Sequence, residues 1–197
     1  VGGLHAASGT LGAAATSVRL GILAIVFRSV DLPEQYDLAS FVLWLRANGC
    51  LAEVRAAVEA AGRSWDQEVA DFLVSPVMHQ AIASHFPGWT TPVSDISQAL
   101  LDRFRHREEV SNDEMVTAIR AALTRNGQFP RTLIAIDEVQ QFIDESAERA
   151  LAVQEAIEEC CKRFGASLLV VGTGQAAMGG STQLRKIRAR FPIEVQL

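Results

Sequence analysis

The chain has 197 residues, 49% of them hydrophobic, which is enough apolar material for one large domain or two small ones and argues against disorder. Its 18 basic and 23 acidic residues give a net charge of −5, so overall charge supplies no attraction to nucleic acid or to anionic membranes. Its three cysteines have neither an even count nor metal-ligand spacing, which fits a reducing cytoplasm better than a secreted disulfide framework.

The N-terminal segment begins VGGLHAASGT without an initiator methionine, which we interpret as the start of a piece of a longer protein. The most apolar run follows at residues 21–27, between Arg19 and Arg28. It is far shorter than the roughly 20 residues needed to cross a bilayer. The run therefore predicts a buried helix, and we expect no membrane partner.

Residues 12–126 carry mainly helical patterns, with apolar positions spaced by three and four. A helix over residues 36–46 is predicted to end near Gly49, and one over residues 51–61 near Gly62. Glycine tolerates the positive φ that commonly closes a helix C-terminus.

Two further helix starts are predicted by capping-box spacing, at Ser64 with Gln67 and at Ser111 with Glu114. Residues 94–110 predict another helix with one apolar side. That side contains Leu100, Leu101 and Phe104.

The pattern changes at residue 129, after which apolar strands alternate with helices. The predicted elements are a strand at 132–136, a helix at 146–164, a strand at 167–171, a helix at about 183–188 and a strand at 193–197. Continuous apolar strands separated by crossover helices are typical of a parallel sheet covered on both faces. We therefore predict a mainly helical region at residues 1–128 and an α/β region at residues 129–197.

Two adjacent acids, Asp137 and Glu138, follow the first of these strands. The carboxyl ends of parallel strands face the crevice where open α/β sheets bind ligands, and successive strand residues point to opposite sides. In P-loop ATPases the first such acid holds Mg²⁺, usually through water, and the second polarises the attacking water. Asp137 is therefore the candidate Mg²⁺ residue and Glu138 the candidate base. Two ordinary solvated acids at a strand end are the alternative.

A small polar cluster follows the second strand, at residues 172–175. It should reach the same edge of the sheet as the acids. In the additional-strand class of P-loop ATPases a residue at this position senses the γ-phosphate and orients the water. Thr173 is the first candidate for this role and Gln175 the second, whereas an ordinary glycine turn is the alternative.

The basic segment at residues 183–191 precedes the last predicted strand. Arginine presents a permanently charged donor fork that suits phosphate oxygens. AAA+ proteins commonly place, at a basic helix end before the fifth strand, an arginine that reaches the nucleotide of a neighbouring subunit. By similarity to that pattern, Arg190 is the preferred candidate for this role and Arg188 is the alternate. Complementing a helix C-terminus at the surface explains Arg185 and Lys186 at least as well.

The segments IDEVQQFI, LLVVGTGQ and IRARFPIEVQL together resemble the AAA+-like core of large P-loop ATPases from bacterial phage-defence systems, of the BREX and phage-growth-limitation type. The resemblance is clearest over residues 131–197. It implies a partial three-layer P-loop sheet with an N-terminal helical insertion, and ATP and Mg²⁺ as ligands of the full-length parent. It also implies partners among other subunits of the same protein or of a defence complex, in the cytoplasm, and leaves DNA contact open.

The chain departs from that family in one respect, because it contains no G-x-x-x-x-G-K-[ST] phosphate-binding loop. Neither Lys162 nor Lys186 follows a glycine, and the glycine-containing residues 3–10 include no lysine. We therefore expect the loop to lie outside this chain and the chain alone to be catalytically inactive. The alternative function is a non-catalytic P-loop-like scaffold that binds protein partners or DNA.

Overall fold

The chain divides into two compact units in a computed structural model, which describes residues 3–11, 17–144 and 146–174. One unit, the sheet unit, combines the described residues up to Glu34 with those from Glu108 onward. The other, the helical unit, is Gln35–Arg107. This division differs from the predicted boundary at residue 128, because the N-terminal segment belongs with the sheet.

The described residues of the sheet unit contain three parallel strands, β1 (Leu4–Thr10), β2 (Arg131–Asp137) and β3 (Leu168–Gly172). The strand order is β1-β2-β3, so β2 lies in the centre. β1 lies in the part expected to be mainly helical, yet it pairs with β2 along its whole length. The expected α/β class with a parallel sheet is thus confirmed, and both predicted strands in the described residues are present.

The described helices are α1 (Val18–Arg28), α2 (Tyr36–Ala47), α3 (Leu51–Ala60), α4 (Trp65–Ala70), α5 (Pro76–His85), α6 (Ile96–Arg103), α7 (Asn112–Leu123), α8 (Val139–Ile143) and α9 (Ala147–Phe164). Most residues of α1 are buried, as predicted for the apolar run at 21–27. None of the described helices has the length and apolar character required to cross a membrane.

The two helix ends predicted at glycines agree with the structure. Gly49 follows α2 with φ 71°, and Gly62 follows α3 with φ 73°. The capping box at Ser111 and Glu114 is formed at the start of α7. Ser64 does precede α4, but its side chain makes no capping hydrogen bond, so that capping box is wrong.

The helix expected over residues 94–110 is shorter in the structure, where α6 ends at Arg103. Leu100 and Phe104 are buried, but Leu101 is 43% exposed. Adjacent helical residues point about 100° apart, so Leu101 cannot share the buried side with Leu100. The predicted common face was therefore wrong for Leu101.

One face of the sheet is covered by helices α1 and α9, which contact β1 and β3 respectively. Ile134 and Ile136 of β2 are fully buried on that face. On the opposite face, Leu169 is 62% exposed and Val171 38% exposed. The described residues therefore do not provide the expected cover on both faces. The connections from β1 to β2 and from β2 to β3 both move across the sheet in the same direction. Right-handed connections then place the helices of both on the same side of the sheet.

Aromatic side chains fill the core of the helical unit. The ring of Phe41 is fully buried and stacks on that of Phe72, with centroids 4.4 Å apart. Phe104 meets Phe41 edge-on at 5.7 Å. Trp44 stacks on Phe86 at 4.3 Å. These offset and edge-on arrangements are the ones that aromatic rings favour, so the cluster links α2, the segment after α4 and the ends of α5 and α6.

A buried carboxylate joins α4 to α5 within the helical unit. Glu68 is 4% exposed at its side chain and accepts a hydrogen bond from Arg63 Nε at 2.7 Å. It also accepts one from the hydroxyl of Ser75, which itself caps α5 by accepting from the Met78 amide. The hydrogen bond from Ser75, and then that from Arg63, lower the pKa of Glu68 against the opposing effect of burial.

We expect Glu68→Gln to lower the free energy of unfolding by about 1–3 kcal/mol, because a buried hydrogen-bonded charge is lost while its donors stay in place. Glu59→Gln is the matched control, since Glu59 pairs with Arg55 at an exposed surface and should change stability by less than about 1 kcal/mol. Because the pKa of Glu68 lies below its ordinary value of 4.5, this stabilisation is complete above pH 4.5. It is lost as the pH falls through the lowered pKa. Denaturant unfolding at neutral and acidic pH measures both effects, and equal losses for the two variants would contradict the prediction.

Candidate active site

The predicted acids and the predicted threonine lie together at the carboxyl edge of the sheet. Asp137 is the last residue of β2, and Glu138 follows it directly. Ile136 is paired in register with Gly172, which places Thr173 beside Asp137. Because β2 and β3 are parallel neighbours, the ends of both strands reach the same edge, as the sequence predicted.

Thr173 is bonded to the end of β2 by both its backbone and its side chain. Its amide donates to the carbonyl of Ile136 at 2.9 Å, and its carbonyl accepts from the amide of Val139 at 3.2 Å. Its hydroxyl donates to Asp137 Oδ1 and accepts from the amide of Glu138 at 3.3 Å. One threonine therefore connects both acidic residues to the neighbouring strand.

Glu138 leaves the strand in a left-handed backbone conformation, with φ 52° and ψ 43°, and begins α8. The sequence predicted that the acids diverge because strand residues alternate. The structure gives a different reason, since Asp137 ends the strand and Glu138 turns away from it. A non-glycine residue in this region costs of order 1 kcal/mol or more and persists only where its surroundings fix it. Such strain is concentrated at functional sites.

The side chain of Glu138 accepts a hydrogen bond from a residue of α8, the helix that it precedes. Gln141 Nε2 donates to Glu138 Oε2 at 2.5 Å, and the amide of Gln141 donates to the carbonyl of Glu138 at 2.9 Å. Sequence reasoning did not select Gln141. Its spacing of three from the candidate base, at the start of a helix, was the available signal.

The oxygen donors at this edge suit Mg²⁺, which prefers hard ligands and is commonly held by one or two carboxylates together with water and substrate phosphates. The Asp137 carboxylate is exposed and bonded to the Thr173 hydroxyl, so both groups can contribute oxygen to one site. Within residues 3–11, 17–144 and 146–174, no cluster of three or more His, Cys, Asp or Glu could hold a metal ion.

β1 brings a further hydroxyl to the edge, because Thr10 is paired in register with Asp137. Thr10 is exposed, like Asp137 and Thr173. Sequence reasoning missed it because its position depends on the pairing of β1 with a strand far along the chain. β1 and β2 therefore end in a polar residue at this edge, and β3 is followed directly by one.

The remaining candidates lie outside the residues that the structure describes. These are Gln175, Arg188 and Arg190, together with the predicted helix at 183–188 and strand at 193–197. Their roles stay predictions from the sequence.

Residues 103–107 (RFRHR) form a basic run near the end of the helical unit, and its side chains have partners within that unit. Arg103 lies over the ring of Trp44 at 5.3 Å, and Arg105 pairs with Asp102 at 3.3 Å. These contacts favour a structural role for the run over a nucleic-acid surface.

Comparisons with family models, curated proteins and solved structures found no match to the chain.

Proposed function

We propose that the chain forms the acid-bearing and phosphate-sensing part of an AAA+-like P-loop ATPase of a bacterial phage-defence system. The observation that carries this proposal is the junction of Asp137, Glu138 and Thr173 at the carboxyl edge of a parallel sheet. This is the edge where open α/β sheets bind ligands. The strained backbone of Glu138 supports a functional rather than a structural origin for the pair.

The three residues have distinct chemical roles in this proposal. Asp137 would hold Mg²⁺ through water, and Thr173 keeps that carboxylate oriented through its hydroxyl. Glu138 polarises the water that attacks the γ-phosphate and accepts its proton. The metal, when bound, neutralises negative charge on the phosphate oxygens. Arg190, as the sequence predicts, supplies a further cation to the nucleotide of a neighbouring subunit.

The phosphate-binding loop belongs to another part of a longer protein in this proposal, since the sequence of this chain contains none. β3 lies at one edge of the described sheet, so a strand carrying such a loop can pair beside it. The isolated chain should accordingly bind ATP weakly and not hydrolyse it.

The proposal is tested by measuring Mg²⁺-dependent ATP hydrolysis by the longer protein and by its Asp137→Asn variant. We expect the variant to need roughly 10-fold more Mg²⁺ or more for half-maximal rate, the usual scale for disturbing a metal site. Asp144→Asn is the control, because Asp144 follows α8 away from the carboxyl edge of β2 and the same exchange of acid for amide is made there. No hydrolysis by the parent protein would support the alternative of a non-catalytic scaffold, and an unchanged Mg²⁺ dependence would remove Asp137 from the metal site.

A further inference from the structure

The contact between Gln141 and Glu138 differs from the other glutamine–acid pairs described in this chain. Gln154 donates to Glu158 at 3.0 Å and Gln98 donates to Asp102 at 3.0 Å, each pair spaced four residues apart on one helix. Such pairs are ordinary features of helix surfaces. Gln141 instead reaches back three residues, to an acid that precedes the helix and has a left-handed backbone.

The bond to Gln141 complements the restraints on the Glu138 backbone. The amide of Glu138 is fixed by the Thr173 hydroxyl, and that of Val139 by the Thr173 carbonyl. These bonds orient the main chain but leave the side-chain torsions of Glu138 to be set by other contacts. The side-chain amide of Gln141 contacts one carboxylate oxygen of Glu138 and therefore restricts where the carboxylate can point.

We propose that Gln141 is a positioning residue for Glu138, an inference that rests on the proposed ATPase function. A primary amide donates a hydrogen bond to a carboxylate but cannot act as a base at neutral pH. Gln141 therefore orients the proton acceptor without competing for the proton. Orientation of a catalytic group affects the chemical step more than substrate binding, so its loss should lower kcat and leave KM for ATP unchanged.

The activity test compares Gln141→Leu with Gln154→Leu in the longer protein. Both exchanges remove an exposed amide donor from a carboxylate and leave a side chain of similar size with good helix propensity. We expect kcat to fall roughly 3- to 10-fold for Gln141→Leu, the scale of losing one typical hydrogen bond. Gln154→Leu should match the parent protein.

A second measurement follows the contact itself in the present chain, by NMR of the glutamine side-chain amides. Glu138→Ala should move the Gln141 amide resonances and leave those of Gln154 in place. Unmoved Gln141 resonances would overturn the contact and the positioning role with it.

The combined outcomes separate the positioning role from the proposed function. Hydrolysis by the parent with equal kcat for the two leucine variants would overturn the role of Gln141 and leave the ATPase proposal standing. Absence of hydrolysis in the parent would overturn the ATPase proposal, and moved Gln141 resonances would then mean that the contact serves structure alone. A selective fall in kcat together with moved resonances supports both.

Discussion

Replacing Glu138 with glutamine in the longer protein is expected to lower ATP turnover by about 10²-fold or more while preserving ATP affinity. Loss of a positioned general base has this scale. Glutamine is nearly the same size as glutamate, and the backbone bond from residue 138 to the Thr173 hydroxyl does not involve the exchanged atoms. The substitution therefore removes the proton acceptor and the carboxylate that accepts from Gln141, and it leaves the backbone bond to Thr173 in place. Steady-state hydrolysis and equilibrium ATP binding separate the two effects.

Glu148→Gln is the matched control for this experiment. Glu148 is an exposed acid in the first turn of α9, so its exchange changes the net charge equally without touching the sheet edge. Turnover at the parental rate in the Glu138→Gln protein would return Asp137 and Glu138 to the simpler interpretation of two solvated acids at a strand end. A loss of ATP affinity in the same variant would indicate that Glu138 binds the nucleotide and is not the base.

Replacing Phe41 with alanine is expected to destabilise the helical unit by about 3–5 kcal/mol, which is a large share of the stability of a small domain. The ring is fully buried and meets Phe72, Phe104 and Trp44. Alanine would leave a cavity and remove several favourable ring contacts at once. The surrounding rings are stiff, so the cavity should collapse only in part.

Tryptophan fluorescence measures this loss selectively, because Trp44, Trp65 and Trp89, all the tryptophans of the sequence, lie within Gln35–Arg107. Denaturant unfolding followed by fluorescence therefore reports on the helical unit alone, whereas far-ultraviolet circular dichroism reports on both units. Leu101→Ala is the control, since an exposed side chain of the same unit should change stability by less than about 0.5 kcal/mol. A fluorescence midpoint that does not move in Phe41→Ala would mean that the aromatic cluster contributes little.

The sequence predicted the strands that could be recognised from their own composition. β2 and β3 contain the continuous apolar runs LIAI and LLVV, whereas β1 reads LHAASGT, with small and polar residues at most positions. Its extended conformation depends on pairing with β2, a contact that no local pattern encodes. The predicted boundary at residue 128 differs from the structure for the same reason.

The end of α6 shows a second limit of local patterns. Residues 94–110 have suitable helical spacing, but Phe104 leaves the helical conformation, with φ −122° and ψ 57°. Its ring meets those of Phe41 and Trp44 in the aromatic cluster. The helix thus ends at the residue whose ring packs into the cluster, a tertiary contact that local spacing does not encode.

The sequence could predict the part of the candidate site that follows from the topology of a parallel sheet. Parallel neighbours must end at the same edge, and this rule alone brought Asp137 and Thr173 together. The left-handed turn at Glu138 was not predictable, because glutamate has no preference for that conformation and only its neighbours hold it there. The role of Gln141 follows from that turn, so it could not be recognised before the turn was known.

The interrupted sheet unit has a consequence for the order in which the protein forms on the ribosome. β1 is synthesised first, but its partner β2 emerges only after Gln35–Arg107 is complete. The helical unit is continuous in sequence and dominated by helices, so it can fold while β1 is still unpaired. The acidic edge, which needs β2 and β3 together, is assembled last, and a nascent chain that stops before β3 would carry a folded helical unit without the site.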